Sequence, residues 1–383
     1  MSFLLTLFFN CLIFNSLIQG AEVEDLPDCS NICSCCTCLD EVAIGNQQEE
    51  FKIDQEKLKN LEEECKKKIL EQDEIVKEVC KMVKTALLVG GEKPCVILLG
   101  GEPGCGKTSL VETIAQHIYG DKYKNFYEKI TMQSYNGEQY VSTLVGSANG
   151  YVGDEGIIAK FCRQKKKIIL FDEIDKAHKD VCSTLLSLLE GKKTNTGKGT
   201  NCRLPENCVI FMTTNAGSGF LDNFDEFNIR YTQNVKNNAD IIKISLRLGL
   251  DSNGNKSNMH SMVGELIDRI TETFAMKTVK DQETIKKFIK NCIEDTVKEL
   301  NNINQNIVLS SEENIAINNF FEKHIKKGTS MRKIKEQTSN AIRGAFTDFI
   351  LTAGINLKGY NGPQKEVKLK WENNAFKCEE EGN

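Results

Sequence analysis

The segment GEPGCGKTS, residues 101–109, constrains the fold of this chain more than any other. It follows an apolar run at residues 95–99 and precedes a helical pattern, and a strand, a glycine-rich turn and a helix in this order form a phosphate-binding loop. Glycines allow backbone N–H groups to approach a β-phosphate, Lys107 reaches the β- and γ-oxygens, and Thr108 offers a hydroxyl to Mg²⁺. A plain glycine-rich turn, the alternative, does not require every fixed position to be filled. We therefore predict a site for ATP and Mg²⁺ formed by Gly101, Glu102, Pro103, Gly104, Cys105, Gly106, Lys107, Thr108 and Ser109.

Composition and charge narrow the range of partners. The chain has 383 residues, 40% of them apolar and 27% charged, which is ordinary for a globular protein of a few compact units. Its 49 Lys and Arg are interspersed with 54 Asp and Glu, which gives a formal net charge of −5. Because a nucleic-acid footprint needs a basic face, we expect no nucleic-acid partner and disfavour a nucleic-acid motor.

The beginning of the chain, residues 1–20, predicts a secretory signal peptide. Residues 3–18 are mostly apolar and are followed by small residues and an acidic one, so cleavage is expected after Gly20 or Ala21. The basic residues that usually precede such an apolar core are missing. A retained membrane anchor is the alternative, although the run is shorter than a full span. No later stretch is apolar enough to cross a bilayer.

The 16 cysteines agree with an oxidising compartment, and several of them crowd into the segment 21–48. This Cys-rich segment contains Cys29, Cys33, Cys35, Cys36 and Cys38. A metal knuckle would need a second ligand pair nearby, which the sequence does not show, so we expect local disulfides whose connectivity stays open. Asn255 begins an Asn-Lys-Ser glycosylation sequon, which adds minor support because such triplets often arise by chance.

Polar side chains follow two further apolar strands. Residues 168–171 end in Asp172 and Glu173, and a strand that is apolar throughout is typical of a parallel α/β sheet. Ligands bind at the carboxyl ends of such strands, where Asp172 can hold the water shell of Mg²⁺ and Glu173 can polarise an attacking water. Acidic helix-capping residues are the alternative. Residues 209–214 end in Asn215, which can orient a water against the γ-phosphate or serve as a turn residue.

The remaining pattern predicts two domains after the Cys-rich segment. Residues 49–272 form a large α/β nucleotide-binding domain, and residues 273–383 form a small, mainly helical lid. The lid helices are expected at residues 283–300, 311–324 and 331–351, the second with a Ser/Glu cap. Alternating residues at 366–371, a turn and residues 375–378 predict a terminal β-hairpin. ATP should lie between the two domains.

Together these segments resemble an AAA+ ATPase, and within that group the second ATPase module of Clp-type unfoldases. The resemblance covers residues 56–378. ILEQDEIV, residues 69–76, stands where the family has its adenine-binding segment, with Glu71 in place of a glycine. The resemblance therefore implies that Ile69 and Leu70 lie beside the adenine.

Three further motifs of the resemblance imply roles for named residues. DEIDKAH, residues 172–178, is similar to the family's DEVEKAH, and FMTTNAGS is similar to IMTSNLGS, which makes Asn215 the sensor-1 candidate. ELIDRI, residues 265–270, is similar to EFLNRID and implies that Arg269 is an arginine finger that reaches the γ-phosphate of a neighbouring subunit.

GYVG, residues 150–153, matches the family's pore loop, whose aromatic residue grips a threaded polypeptide. The resemblance thus assigns Tyr151, with Val152 and Gly153, to substrate contact. The alternative is a turn aromatic that packs on its own loop.

One family position departs from its pattern. Sensor 2 is an arginine in a Gly-x-Arg sequence, and here Ser330 stands in that position. Moving the match by two residues makes Arg332 the sensor-2 candidate. The tripeptide Leu-Gly-Leu at residues 248–250 is similar to the one by which some Clp motors dock a peptidase, although a helix end explains it equally well.

The signal-like start and the early cysteines also resemble the torsin family, which works in the endoplasmic reticulum lumen and nuclear envelope. Residues 114–119, 260–261 and 266–268 are torsin-like as well. The chain departs from torsins in having Thr108 where they have asparagine, and in keeping the pore-loop residues and Arg269.

These resemblances imply an ATP-hydrolysing ring, hexameric in the family, that remodels or threads protein clients in the endoplasmic reticulum lumen. One alternative is a torsin-like ATPase switch that a membrane-bound regulator controls and that threads nothing. A second alternative is a non-catalytic module in which nucleotide only stabilises a binding surface.

Overall fold

The computed structural model describes residues 53–146, 156–195, 201–231, 235–256, 264–303, 306–311, 317–326, 329–357, 362–373 and 375–380. All of them belong to one compact unit, Ile53–Asn383. The predicted fold class is confirmed: a parallel α/β sheet is followed by a mainly helical lid with a terminal hairpin. The predicted signal peptide and Cys-rich segment lie outside the described residues.

A parallel sheet of five strands forms the centre of the unit. Its strands are β1 (Cys95–Gly101), β2 (Tyr127–Thr131), β3 (Ile168–Asp172), β6 (Val209–Thr214) and β7 (Glu272–Met276). Between β3 and β6 the chain forms a separate two-stranded hairpin of β4 (Thr194–Asn195) and β5 (Asn201–Cys202). The spatial order is β2-β3-β6-β1-β7, and every neighbouring pair is parallel. Parallel pairing brings the carboxyl ends of β1, β3 and β6 to the same edge of the sheet.

Helices cover the sheet and explain why its central strands are apolar. They are α1 (Gln55–Lys68), α2 (Asp73–Val89), α3 (Lys107–Tyr119), α4 (Tyr123–Phe126), α5 (Val141–Val145), α6 (Ile157–Arg163), α7 (Lys179–Leu189), α8 (Phe224–Arg230), α9 (Asn238–Leu248) and α10 (Gly264–Ile267). Every residue of β6 is buried, and so are the first four residues of β3. A strand that is buried on both faces has no need of polar alternation, so the sequence reads as a continuous apolar run.

The lid packs helices against a second, three-stranded sheet. Its elements are α11 (Gln282–Asn301), β8 (Ile307–Ser311), α12 (Ile317–His324), α13 (Met331–Thr352), β9 (Lys365–Glu372) and β10 (Ala375–Glu380). The hairpin of β9 and β10 is antiparallel, as predicted, and β8 adds to β9 in parallel. Phe320 packs edge-on against Trp371, with ring centroids 5.7 Å apart, and so ties α12 to the hairpin.

Two sequence predictions are corrected by these elements. Residues 273–276 were expected to be extended and to open the lid; they are extended, but as part of β7 they pair with β1, so the large sheet reaches Met276. Residue 311 was expected to begin a helix, but it ends strand β8, and the described helix begins at Ile317. Residues 307–311 gave no periodicity that separates strand from helix, and pairing with a distant strand decides their conformation.

The helices that the structure describes include none that is both long and apolar enough to span a bilayer.

Strand β8 offers a test of the lid packing. Leu309 is 2% exposed whereas its neighbour Val308 is 36% exposed, because successive side chains point to opposite faces. We expect Leu309→Ala to lower the free energy of unfolding by about 2–4 kcal/mol and Val308→Ala to change it by less than about 0.5 kcal/mol. Denaturant unfolding followed by the fluorescence of Trp371, the one tryptophan of the sequence, measures both. Equal losses in the two variants would contradict the strand.

Candidate functional site

The loop between β1 and α3 requires glycine at two positions. Gly104 and Gly106 have φ angles of 83° and 102°, which side chains with a Cβ rarely adopt. A Cβ added at Gly104 would lie 2.7 Å from the Cβ of Ser330, at the start of α13. The lid therefore contacts the phosphate loop directly, and only glycine permits the approach.

The ammonium of Lys107 connects three parts of this edge. Its Nζ donates to the carbonyl oxygens of Gly101 (2.7 Å) and Glu102 (2.8 Å) and to Oδ1 of Asn215 (2.9 Å). Lys107 is 7% exposed, and this burial lowers the pKa of its ammonium. The side chain thus joins the phosphate loop to the end of β6.

Asp172 is held by two hydroxyl groups and one cation. Its Oδ1 accepts from Thr108 Oγ1 (2.9 Å) and Thr213 Oγ1 (2.6 Å), and its Oδ2 pairs with Lys129 Nζ at 3.1 Å. Burial alone would raise the pKa of Asp172, but these hydrogen bonds and the Lys129 charge together hold that pKa below its usual value. Asp172 is therefore a carboxylate at neutral pH.

Glu173 occupies an unusual backbone conformation at the end of β3. Its φ and ψ angles are 59° and 54°, in the left-handed region that residues other than glycine rarely adopt and that is enriched at functional sites. Its N–H donates to Thr213 Oγ1 at 2.9 Å, which fixes the turn. Its carboxylate forms no ion pair with the residues that the structure describes, so it is available as a base.

These groups surround a cavity of about 520 Å³ between the large sheet and the lid. The predicted residues that line it are Ile69, Leu70, Pro103, Gly104, Cys105, Gly106, Lys107, Thr108, Ser109, Asp172, Glu173, Asn215 and Arg332. Gly101 and Glu102 do not line it but hold Lys107 through their carbonyl groups. Apolar side chains, Val279, Phe288 and Met331, join Ile69 and Leu70 at the cavity and suit a flat base.

The electrostatics and donor set fit ATP with Mg²⁺. Five cationic side chains line the cavity, Lys68, Lys107, Lys129, Arg332 and Lys335, against the two carboxylates Asp172 and Glu173. This excess of positive charge suits a polyphosphate. The hydroxyl of Thr108 and the carboxylate of Asp172, 2.9 Å apart, are hard oxygen ligands of the kind that Mg²⁺ binds.

Both sensor-2 candidates lie at this site. Ser330 caps α13, its hydroxyl accepting from the N–H of Lys333 at 3.4 Å, and contacts the phosphate loop at Gly104. Arg332, in the first turn of α13, lines the cavity. Among the described residues, neither Arg332 nor Lys335 has an ion-pair partner. The role of Arg332 as sensor 2 stays a prediction.

Arg269 lies away from the cavity and is paired within its own chain. Its Nε donates to Oε1 of Glu190 at 2.9 Å, its Nη2 contacts the same oxygen, and its Nη1 donates to the carbonyl of Glu265. Glu190 also pairs with Lys192, and the hydrogen bonds from Lys192 and Arg269 lower the pKa of Glu190. The guanidinium therefore cannot reach the nucleotide cavity of its own subunit without leaving Glu190.

Other predicted residues fall elsewhere. Tyr151, Val152 and Gly153 lie outside the described residues. Gly249 ends α9 in the left-handed conformation, so the Leu-Gly-Leu tripeptide is a helix end; Leu248 is 42% exposed and Leu250 is 3% exposed. Asn255 is exposed and its N–H donates to Oδ1 of Asp251, while the serine of its sequon is not among the described residues.

The sequence analysis missed several residues of the cavity, namely Lys68, Lys129, Thr131, Gln133, Thr213, Val279, Phe288, Met331 and Lys335. Thr213 could have been found, because it precedes Asn215 by two residues and so projects from β6 on the same side. Lys335 follows Arg332 by three residues, so the helical period could have placed it on the same face of α13. The others reach the site through strand pairing and lid packing, which no local pattern encodes.

Known proteins are similar to parts of this chain. Residues 92–273 match the family model described as AAA domain (Cdc48 subfamily). The chaperone protein ClpB of Clostridium tetani is 32% identical over 264 residues, which are 67% of this chain and 28% of the relative. The negative regulator of genetic competence ClpC/MecB of Bacillus subtilis is 35% identical over 201 residues, 50% of this chain and 24% of the relative. The chain thus spans about a quarter of the length of these relatives.

A solved structure shows the same fold. The closed-state cryo-EM reconstruction of Hsp104 with ATPγS and FITC casein superposes with a TM-score of 0.64 at 19% sequence identity. The match covers 85% of this chain and 52% of that chain. At this identity the likeness concerns the fold alone.

Proposed function

We propose that this chain, whose residues 92–273 match the AAA domain family model, is an ATPase of the Clp type that hydrolyses ATP to remodel protein clients. The observation that carries the proposal is the convergence of Lys107, Thr108, Asp172, Glu173 and Asn215 on one cavity. These residues come from α3 and from the ends of β3 and β6, so the parallel sheet assembles the site.

Hydrolysis needs an oriented water and a base that accepts its proton. Glu173 is the base: its carboxylate lines the cavity unpaired, and Asn215 orients the water. The water oxygen forms a bond to the γ-phosphorus, the bond from that phosphorus to the β–γ bridging oxygen breaks, and ADP leaves with the electron pair. Thr108 and Asp172 would hold Mg²⁺, which when bound neutralises charge on the β- and γ-phosphates.

Lys107 changes partners when nucleotide enters. In this structure its ammonium is satisfied by two carbonyl groups and the Asn215 amide oxygen. Phosphate oxygens are stronger acceptors for an ammonium than neutral carbonyls, so the exchange favours the nucleotide and releases Asn215 toward the water.

Assembly into a ring, hexameric as the Clp resemblance implies, would complete the site. Arg269 is the finger in this proposal, donated by one subunit to the γ-phosphate held by its neighbour. Its pairing with Glu190 keeps the guanidinium oriented before assembly and gives each isolated subunit an incomplete site. An arginine finger stabilises charge in the transition state, so turnover depends on association.

Clients are proteins in this proposal because the relatives include chaperones and because GYVG matches the family's pore loop. Tyr151 would grip the client polypeptide. A torsin-like switch, run by a membrane-bound regulator without threading, is the competing function that the early cysteines and the signal-like start support.

Turnover measured against protein concentration tests the ATPase ring. We expect the rate per subunit to rise with concentration and Arg269→Ala to lower kcat by about 10³-fold or more. Glu190→Gln is the matched control, because it breaks the same intrachain pair but keeps the guanidinium, and it should retain most of the turnover. A rate independent of concentration and indifferent to Arg269→Ala refutes the ring. Equal losses in the two variants would instead assign Arg269 to intrachain structure.

Threading is tested with a folded fluorescent reporter that carries an unstructured tail. We expect Tyr151→Ala to abolish ATP-driven unfolding of the reporter while leaving ATP turnover intact, and Glu173→Gln to abolish both. If Tyr151→Ala leaves cellular function untouched and Glu173→Gln abolishes it, the torsin-like switch replaces the threading motor. Absence of turnover in the wild type would favour the non-catalytic binding module.

We also propose that the chain works in the secretory pathway, in the endoplasmic reticulum lumen. The support is the apolar segment 3–18 and the early cysteines alone, because the cysteines at positions 65, 80, 95, 105, 182, 208, 292 and 378 are free thiols. Protease treatment of intact microsomes should spare the full chain and digest a variant that begins at Ala21. Digestion of both would place the protein outside the lumen.

A further inference from the structure

Lys129 lies where the edge strand of the sheet meets the phosphate loop. It belongs to β2, whose neighbour β3 ends at Asp172. Its Nζ lies 3.1 Å from Oδ2 of Asp172 and 3.5 Å from Oε1 of Glu112, which projects from α3. Its side chain is 34% exposed, whereas that of Asp172 is 13% exposed and that of Glu112 is 39% exposed. The ammonium thus stands between a largely buried carboxylate and a solvated one.

The two oxygens of Asp172 have different partners. Oδ1 accepts from the hydroxyls of Thr108 and Thr213, and Oδ2 is paired with Lys129. A carboxylate that is largely removed from water is stabilised by a nearby opposite charge. Lys129 therefore supplies, beside Asp172, a positive charge of the kind that a bound metal ion would also supply.

Glu112 is placed to receive the ammonium when it leaves Asp172. Thr108 and Glu112 are four residues apart on α3, so they lie on one face of that helix. The ammonium would be repelled by a divalent ion held at Thr108 and Asp172, and it could then move to Glu112 without leaving the ion-pair cluster. The lysine is tethered on β2, so the change requires only rotation of its side chain.

We propose that Lys129 is a displaceable counter-ion that competes with Mg²⁺ for Asp172, and that Glu112 accepts it when Mg²⁺ binds. Lys129 is thus a positioning residue that sets how much Mg²⁺ the site requires. The inference rests on the proposed function only in taking this cavity as the site for nucleotide and Mg²⁺.

The proposal predicts shifts of opposite sign from two neighbouring residues. Lys129→Met removes the competitor and should lower the Mg²⁺ concentration at half-saturation roughly three- to tenfold, the scale of one partly screened charge interaction. Glu112→Gln removes the alternative partner, holds Lys129 on Asp172, and should raise that concentration by a similar factor. The double variant should behave as Lys129→Met, and Lys129→Arg should stay near the wild type.

The experiment uses the full chain and a fluorescent anthraniloyl ADP, so it depends on binding and not on hydrolysis. Mg²⁺ is titrated at fixed nucleotide, and bound ADP is read by fluorescence anisotropy. Lys160→Met is the matched control, because Lys160 lies beside Lys129 at a neighbouring cavity but has no ion pair with Asp172 among the described residues. It should leave the Mg²⁺ dependence unchanged.

The outcomes separate this inference from the proposed function. Wild-type protein that binds the nucleotide while Lys129→Met leaves the Mg²⁺ requirement unchanged, or raises it, overturns the counter-ion role alone. A wild type that binds no nucleotide at any Mg²⁺ concentration overturns both. If Lys129→Met does not fold, Glu112→Gln decides: a higher requirement supports the exchange, and an unchanged or lower one refutes it.

Discussion

The buried ammonium of Lys107 is the interaction on which the rest of the site depends. It is held by the backbone of the phosphate loop and by Asn215 at the end of β6, so it joins two strands that are adjacent in space but about a hundred residues apart in sequence. A buried cation without acceptors would be costly, and the parallel order of β3, β6 and β1 provides the acceptors at one edge. The strand order of the sheet therefore determines which acceptors the Lys107 ammonium has.

The lid imposes the second constraint. Its contact with the loop at Gly104 leaves no room for a Cβ, and the residue that it presents there is Ser330. An arginine at this position would have to direct a long side chain past the loop. The cations of α13 instead stand at Arg332 and Lys335, both facing the cavity. Cationic residues two and five positions after Ser330 keep positive charge at the site, while the small side chain of Ser330 caps α13.

The sequence could predict those parts of the fold whose cause is local. Strands β1, β3 and β6 are buried on both faces, so their sequences are apolar runs. The glycine-rich loop after β1 indicates that the phosphate site lies at the carboxyl ends of these strands. Strand β8 was missed because it is five residues long and is specified by its partner strand. Lys129 was missed for the same reason: a lysine on an edge strand reads as a solvated residue until pairing places it beside Asp172.

Three cations of this chain share a property that bears on how nucleotide binding is driven. Lys107 is satisfied by carbonyl and amide oxygens, Lys129 by Asp172 and Arg269 by Glu190, so each has an acceptor inside the chain. Binding a polyphosphate is then an exchange of partners, and its net free energy is the difference between phosphate and the internal acceptors rather than the full Coulomb attraction. Such differences are small and vary with each neighbour. In the proposed function, they would allow nucleotide, Mg²⁺ and an adjoining subunit each to change which cation is free during a cycle of binding, hydrolysis and release.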